Sequence, residues 1–165
     1  MCEINWEIVI NALGIIVNAF LAWWIVSSIQ KRQNNERAIK DHFTEELKDL
    51  RTNCRTFLTA IYQGNKMHRE IIPTLKLIGI KASHLMNAFE YGFGMDKNYL
   101  NSYLVEMNKI ITDDPNFISC SNPSECVTLT PDSLDKLLRF QSSHQNRFND
   151  LVLGINEAKY RNLWN

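Results

Sequence analysis

The hydrophobic pattern of this chain begins with one long apolar run. The 22 residues from Ile8 to Ile29 carry no formal charge, and Lys31 and Arg32 follow at once. A helix rises about 1.5 Å per residue, so about 20 residues cross the roughly 30 Å hydrocarbon core of a bilayer. The run therefore predicts a single transmembrane helix.

Beyond this run, apolar residues recur in steps of three and four, which is the spacing of one face of a helix. The first such stripe consists of Ile39, Phe43, Leu47, Leu50, Cys54, Phe57, Leu58 and Ile61. No glycine or proline interrupts residues 31–63, so we expect the membrane helix to continue through them. Gly64 and Asn65 suit its end.

Further helical stripes predict three more helices. We expect the second around Ile71–Phe89, with the Tyr91–Gly94 run breaking it, and the third over Tyr99–Ile111. The polar stretch Asp113–Thr128 predicts the longest loop.

Thr130 before Pro131 predicts the start of a last helix, which we expect to continue toward Lys159. No strand-like alternation lasts for long, so the predicted fold class is all-α. The predicted domains are an N-terminal tail with a transmembrane helix (1–32) and a helical domain (33–165), which is long enough to bury a core.

The distribution of charge predicts the orientation of the span. All 18 Lys and Arg lie at or beyond Lys31, whereas only Glu3 and Glu7 precede the span. A secretory signal would begin with basic residues, so we expect the segment to be retained. The positive-inside tendency then predicts a single-pass protein with its N-terminus outside and its C-terminal domain in the cytoplasm.

Within the span, small and polar residues share one side of the helix. At about 100° per residue, Asn11, Gly14, Asn18 and Ala22 lie together, opposite bulky residues such as Phe20. A lone span has no second helix to bond two carboxamides, so another copy of the same helix is the simplest partner. We expect a homo-oligomer, in which this face either lines a polar path or serves only for association.

The soluble part contains a basic segment. Between Arg51 and Lys81 there are six basic residues and one acidic residue, Glu70. This excess favours an anionic partner, such as a nucleotide, a phosphate or lipid headgroups, although solvated helix surfaces have the same composition.

A stripe of possible ligand-binding residues lies in this segment, in steps of three and four: Arg51, Arg55, Thr59, Tyr62, Lys66 and Arg69. Guanidinium groups bind phosphate through paired hydrogen bonds, and an aromatic ring can stack on a base. Lys66 and Arg69 belong to this face only if the helix runs past Gly64.

The chain lacks the common catalytic motifs. It has no phosphate-binding P-loop, no G-x-S-x-G elbow and no H-E-x-x-H pair. Cys120 and Cys126 lack the paired C-x-x-C spacing of a zinc site. We therefore expect no enzyme activity, no cofactor and no metal.

One apolar span from Ile8 to Ile29 followed by a basic soluble part resembles the small membrane effectors of type III CRISPR antiviral systems. The resemblance concerns the layout of the chain and no single motif. It implies a location in the cell inner membrane, a cytoplasmic domain that senses a cyclic oligoadenylate, with cyclic tetra-adenylate favoured, and a membrane part that then damages or depolarises that membrane. It also implies a tetramer with one ligand phosphate for each subunit. We expect no DNA partner.

A second function class is open at this point. The protein would then be a membrane-anchored scaffold or inhibitor that docks a protein partner and is not gated. Its basic segment would contact acidic lipid or an acidic protein, and Asn11 and Asn18 would pair with a different membrane protein.

Overall fold

The computed structural model describes residues 6–160, with side chains from residue 14 onward. The fold class is all-α, as predicted, and the described residues contain no strand. The elements in chain order are α1 (Trp6–Tyr62), α2 (His68–Phe93), α3 (Asn101–Thr112), α4 (Pro115–Ser119), α5 (Pro131–Ser143) and α6 (Arg147–Glu157).

Helix α1 is a single helix of 57 residues. It contains the one described segment that is long and apolar enough to cross a membrane, beginning at Gly14, with a mean hydropathy of 1.2 and no buried residue in the apolar window. The predicted uninterrupted helix is confirmed. It ends before Gly64, whose φ of 63° is the left-handed conformation expected after a helix end.

The chain divides into two compact units between Ile39 and Lys40. In the second unit, the apolar stripes of the helices form one core. Phe89 is fully buried, and its ring centroid lies 5.5 Å from that of Phe43 in an edge-to-face contact. Cys54, a member of the first apolar stripe, is also buried, and burial raises the pKa of its thiol to about 12.

Helix α2 is longer than predicted. It begins at His68, contains Pro73, and continues through Gly92 to end at Gly94, which has a φ of 71°. Gly92 does not break the helix. It is buried, and a Cβ at this position would lie 3.0 Å from the Tyr160 ring, which is tighter than ordinary van der Waals contact.

The long loop after α3 contains a short helix, α4, that the sequence did not predict. Asp114 caps it, since its Oδ1 accepts hydrogen bonds from the backbone N–H groups of Asn116 (2.9 Å) and Phe117 (3.2 Å). Its Oδ2 accepts from the backbone N–H (2.9 Å) and the hydroxyl (2.6 Å) of Thr130. Thr130 in turn caps α5, and Pro131 is in the first turn, as predicted.

The prediction of one last helix is wrong, because α5 ends at Ser143 and α6 begins at Arg147. No glycine or proline marks this break. Instead, the Ser143 hydroxyl donates to the Phe140 carbonyl oxygen at 2.9 Å, and His144 Nδ1 lies 3.0 Å from the same oxygen. Side chains thus satisfy a carbonyl at the helix end, which competes with continuation of the helix.

Replacement of Asp114 by alanine should lower the free energy of unfolding by about 3 kcal/mol, because it leaves buried donors at two helix starts without an acceptor. Asp114 is 1% exposed. The measurement is chemical denaturation of the detergent-solubilised full chain, followed by circular dichroism. Asp113→Ala is the matched control, since Asp113 is exposed, and an equal loss in both variants would contradict the assigned role.

The same carboxylate gives an expected pH dependence. Burial alone would raise the pKa of Asp114, but hydrogen bonds from Ser133, Thr130 and Phe117 outweigh burial and lower it. Because the folded-state pKa is below the unfolded value of about 3.9, this stabilisation is complete above that pH. The stabilisation is lost as the pH falls through the folded-state pKa of Asp114. The variant Asp114→Ala should lack this pH-dependent part of the free energy of unfolding.

Candidate functional site

A cavity of about 430 Å³ opens between helix α1 and residues of α3, α5, α6 and the turn that joins α5 to α6. This cavity, here called the arginine cavity, is within the second unit. Its lining consists of Arg51, Arg55, Leu58, Thr59, Tyr62, Tyr103, Gln141, His144, Gln145 and Phe148. Its volume lies within the range of about 300 to 1,000 Å³ that is typical of small-molecule sites.

One wall of the arginine cavity is a single face of α1. Arg51, Arg55, Thr59 and Tyr62 follow one another in steps of four, four and three, so they form a row about 16 Å long on this helix. The structure therefore brings together four of the six residues that the sequence proposed for ligand binding.

The two arginines give the cavity a net positive charge. An Nη1 of Arg51 donates to Asn149 Oδ1 at 2.9 Å, and this neutral acceptor leaves the guanidinium charge uncompensated. Arg55 is exposed and makes no hydrogen bond or ion pair with the residues that the structure describes. None of the ten lining residues is acidic. An anion entering the cavity thus meets guanidinium donors and no carboxylate in the lining.

Aromatic rings form the other part of the lining. Tyr103 is buried, and its ring lies edge-to-face with that of Phe148, with centroids 5.5 Å apart. Burial raises the pKa of Tyr103, and the positive charges of Arg55 and Arg51 oppose this rise only in part. The phenol is therefore neutral at physiological pH and adds no negative charge to the site.

The third component is a set of polar side chains at the end of α1 and on α5. The Tyr62 hydroxyl donates to Gln141 Oε1 at 3.2 Å, and burial raises the pKa of Tyr62. His144 lies in the turn after α5, with its Nε2 3.7 Å from Glu106 Oε2. These groups can contact the uncharged part of a ligand whose anionic part lies at the arginines.

Lys66 and Arg69 do not join this site. Helix α1 ends at Tyr62, so both residues lie beyond the stripe on which the sequence placed them. Lys66 Nζ lies 3.2 Å from Glu70 Oε2 and lines a different cavity, of about 360 Å³, together with Lys81. Arg69 is exposed on the first turn of α2.

The sequence did not identify Gln141, Gln145, Tyr103 and Phe148 as site residues. On the single last helix that the sequence predicts, His144 and Arg147 would lie about one turn apart and could contact an anion together. Arg147 instead donates to the Tyr99 carbonyl oxygen at 2.8 Å and lies 5.4 Å from the centroid of the Tyr99 ring. The turn between α5 and α6 separates His144 from Arg147, and of these two residues only His144 lines the arginine cavity. The two glutamines on either side of this histidine were the one sequence pattern that pointed to this wall of the cavity. Glutamines at such a spacing are too common to identify a site.

The proposed association face of α1 is described in part. Gly14, Asn18 and Ala22 are exposed in the helix, and nothing lies within 4 Å of a Cβ placed on Gly14. The side chain of Asn11 lies outside what the structure describes. Trp23, on the opposite side, is also 65% exposed, so a single chain leaves both sides of this segment uncovered.

No family model, curated protein or solved structure matches this chain. The class of protein is therefore defined by the fold and the cavity alone. It is an all-α protein with a cationic, partly aromatic cavity, and its described residues include one candidate membrane-spanning helix. Such a cavity can bind a ligand that combines an anion with a flat ring. Nucleotides have this combination.

Proposed function

We propose that this protein is a membrane effector of antiviral defence that is gated by a cyclic oligoadenylate, with cyclic tetra-adenylate favoured. Ligand binding in the C-terminal part triggers membrane disruption or pore opening by the oligomerised transmembrane helices. The observation that carries the proposal is the arginine cavity: two arginines, aromatic rings and no carboxylate in the lining, on the helix that also contains the candidate span.

The size of the cavity supports one nucleotide of the ring in each subunit. A volume of about 430 Å³ suits a small ligand and not a ring of four nucleotides. Four copies around a fourfold axis would each contribute one cavity to the ring, so that every charge-assisted bond recurs by symmetry. The proposed assembly is accordingly a tetramer.

Disruption of the membrane requires that the ligand bind two arrangements of the assembly with different affinities. The ligand shifts the assembly only if it binds the open arrangement more tightly than the closed one. In the proposed orientation the N-terminus is outside the inner membrane and the cavity is in the cytoplasm, in agreement with the 18 basic residues that follow the apolar run. The protein acts by binding and not by catalysis.

Full-length protein in vesicles that contain a self-quenched dye should release the dye when cyclic tetra-adenylate is added outside, where the C-terminal part is accessible. Linear tetra-adenylate, which lacks the fourfold ring, is the matched control and should release little. Mass spectrometry of small molecules retained after detergent purification gives a second measurement. Absence of both binding and leakage would refute the proposal.

A docking scaffold is the second candidate function. A groove of about 540 Å³ between α2 and α3 is mainly apolar, and Ile80 and Val105 beside it are more than half exposed. A protein partner would cover such a groove. Binding of cyclic tetra-adenylate distinguishes the two functions, because a scaffold of this kind has no need of a nucleotide.

A further inference from the structure

The amide of Gln141 is held at one edge of the arginine cavity. Its Oε1 accepts the hydroxyl of Tyr62 at 3.2 Å, and its amide nitrogen makes no hydrogen bond with the residues that the structure describes. An amide oxygen has two lone pairs. The side chain can therefore offer a ligand one acceptor site and the N–H donors of its amide, side by side in one plane.

The surroundings restrict the position of this amide. Gln141 is half-buried near the end of α5, directly after Phe140, whose ring centroid lies 4.8 Å from that of the buried Tyr103. Tyr62 is the last residue of α1, so the amide is supported by two helices. A recognition group whose partners are already in place loses little freedom on binding.

We propose that Gln141 recognises adenine in the arginine cavity and that Tyr62 is its positioning residue. This inference rests on the proposed function and adds the residue that reads the base. The adenine amino group donates to Gln141 Oε1, while the glutamine amide donates to the neighbouring ring nitrogen, as in the common pairing of glutamine with adenine. The ligand phosphate lies at Arg51 and Arg55.

The geometry also explains which base is rejected. Hypoxanthine, the base of inosine, carries an oxygen where adenine carries its amino group. That oxygen would face Gln141 Oε1, so that two acceptors would oppose each other and lose their hydrogen bonds. A paired amide of this kind discriminates between bases by about 5- to 150-fold.

The test compares binding of cyclic tetra-adenylate and cyclic tetra-inosinate to the full-length protein in detergent, by isothermal titration. The two rings have the same phosphates, so the contribution of the arginines cancels. Wild type should prefer the adenylate ring at least about fivefold. Gln141→Leu should bind both rings equally, and Tyr62→Phe, which keeps the aromatic ring, should reduce the preference without weakening the inosinate complex.

Gln63→Leu is the matched control, because Gln63 is exposed and does not line the arginine cavity. It should keep the wild-type preference. A preference that survives in Gln141→Leu, or equal binding of both rings by wild type, would overturn this inference and leave the proposed function intact. If wild type binds neither ring, the proposed function fails and this inference falls with it.

Discussion

Reversal of both cavity charges, in the variant Arg51→Glu/Arg55→Glu, should weaken binding of cyclic tetra-adenylate at least about 100-fold. Hydrogen bonds to charged groups contribute about 1.5 to 3 kcal/mol each, and 1.4 kcal/mol corresponds to about a factor of ten. Two lost guanidinium groups therefore suffice for this effect before repulsion between the new carboxylates and the phosphates is added. Isothermal titration of the full-length protein in detergent gives the affinity.

The matched control is Lys48→Glu/Lys76→Glu, which makes the same change in net charge at exposed positions outside the arginine cavity. This control should stay within a few-fold of wild type, since exposed charges at a distance are screened by salt. Equal weakening in both double variants would indicate a general electrostatic effect and would remove Arg51 and Arg55 from the site. Circular dichroism establishes that each variant is folded.

The α1 wall of the site could be predicted because it depends only on local geometry. Once the apolar stripe defines a helix, the positions of Arg51, Arg55, Thr59 and Tyr62 on one face follow from 3.6 residues per turn. The same reasoning extended the stripe to Lys66 and failed there, because the helix ends at Tyr62. Beyond the end of a helix the backbone has a different conformation, so helical periodicity no longer predicts which residues share a face.

The opposite wall could not be predicted, because it depends on a break that the usual helix-ending residues do not mark. Ser143 and His144 end α5 through side-chain contacts to the Phe140 carbonyl oxygen. Serine and histidine occur inside many helices, so their presence alone does not predict an end. Without this turn, residues 141–148 would continue one helix, and their positions relative to α1 would be different.

The loop before α5 contains a second feature that the sequence could not predict, the helix start capped by Asp114. Asp114, followed by Pro115, has the composition of a helix start, but it lies in a stretch rich in loop-forming residues. Its importance arises from the hydrogen bond between its Oδ2 and Thr130, a partner 16 positions away. Contacts over such a separation depend on the tertiary fold, which a single sequence does not reveal.

The membrane-spanning segment supplies the second large expected effect. In the variant Asn11→Leu/Asn18→Leu, dye release induced by cyclic tetra-adenylate should fall to the level seen without ligand. Each interhelical hydrogen bond contributes about 0.6 to 2 kcal/mol in a membrane, and every copy in the assembly would lose two carboxamides. Leucine keeps the segment apolar enough to insert, so the change removes polarity and not the span.

The variant should still bind cyclic tetra-adenylate, because Asn11 and Asn18 lie outside the unit that contains the arginine cavity. Its affinity should fall only by as much as the ligand favours the open, associated arrangement over the closed one. Ser27→Leu is the matched control. It also removes a polar group from the span, but Ser27 lies about 180° from Asn18 around the helix and should keep full leakage. Full leakage from the asparagine double variant would exclude a polar association face. Crosslinking in native vesicles tests the same point independently, since solitary chains would leave these carboxamides without partners in lipid and would be incompatible with the proposed assembly.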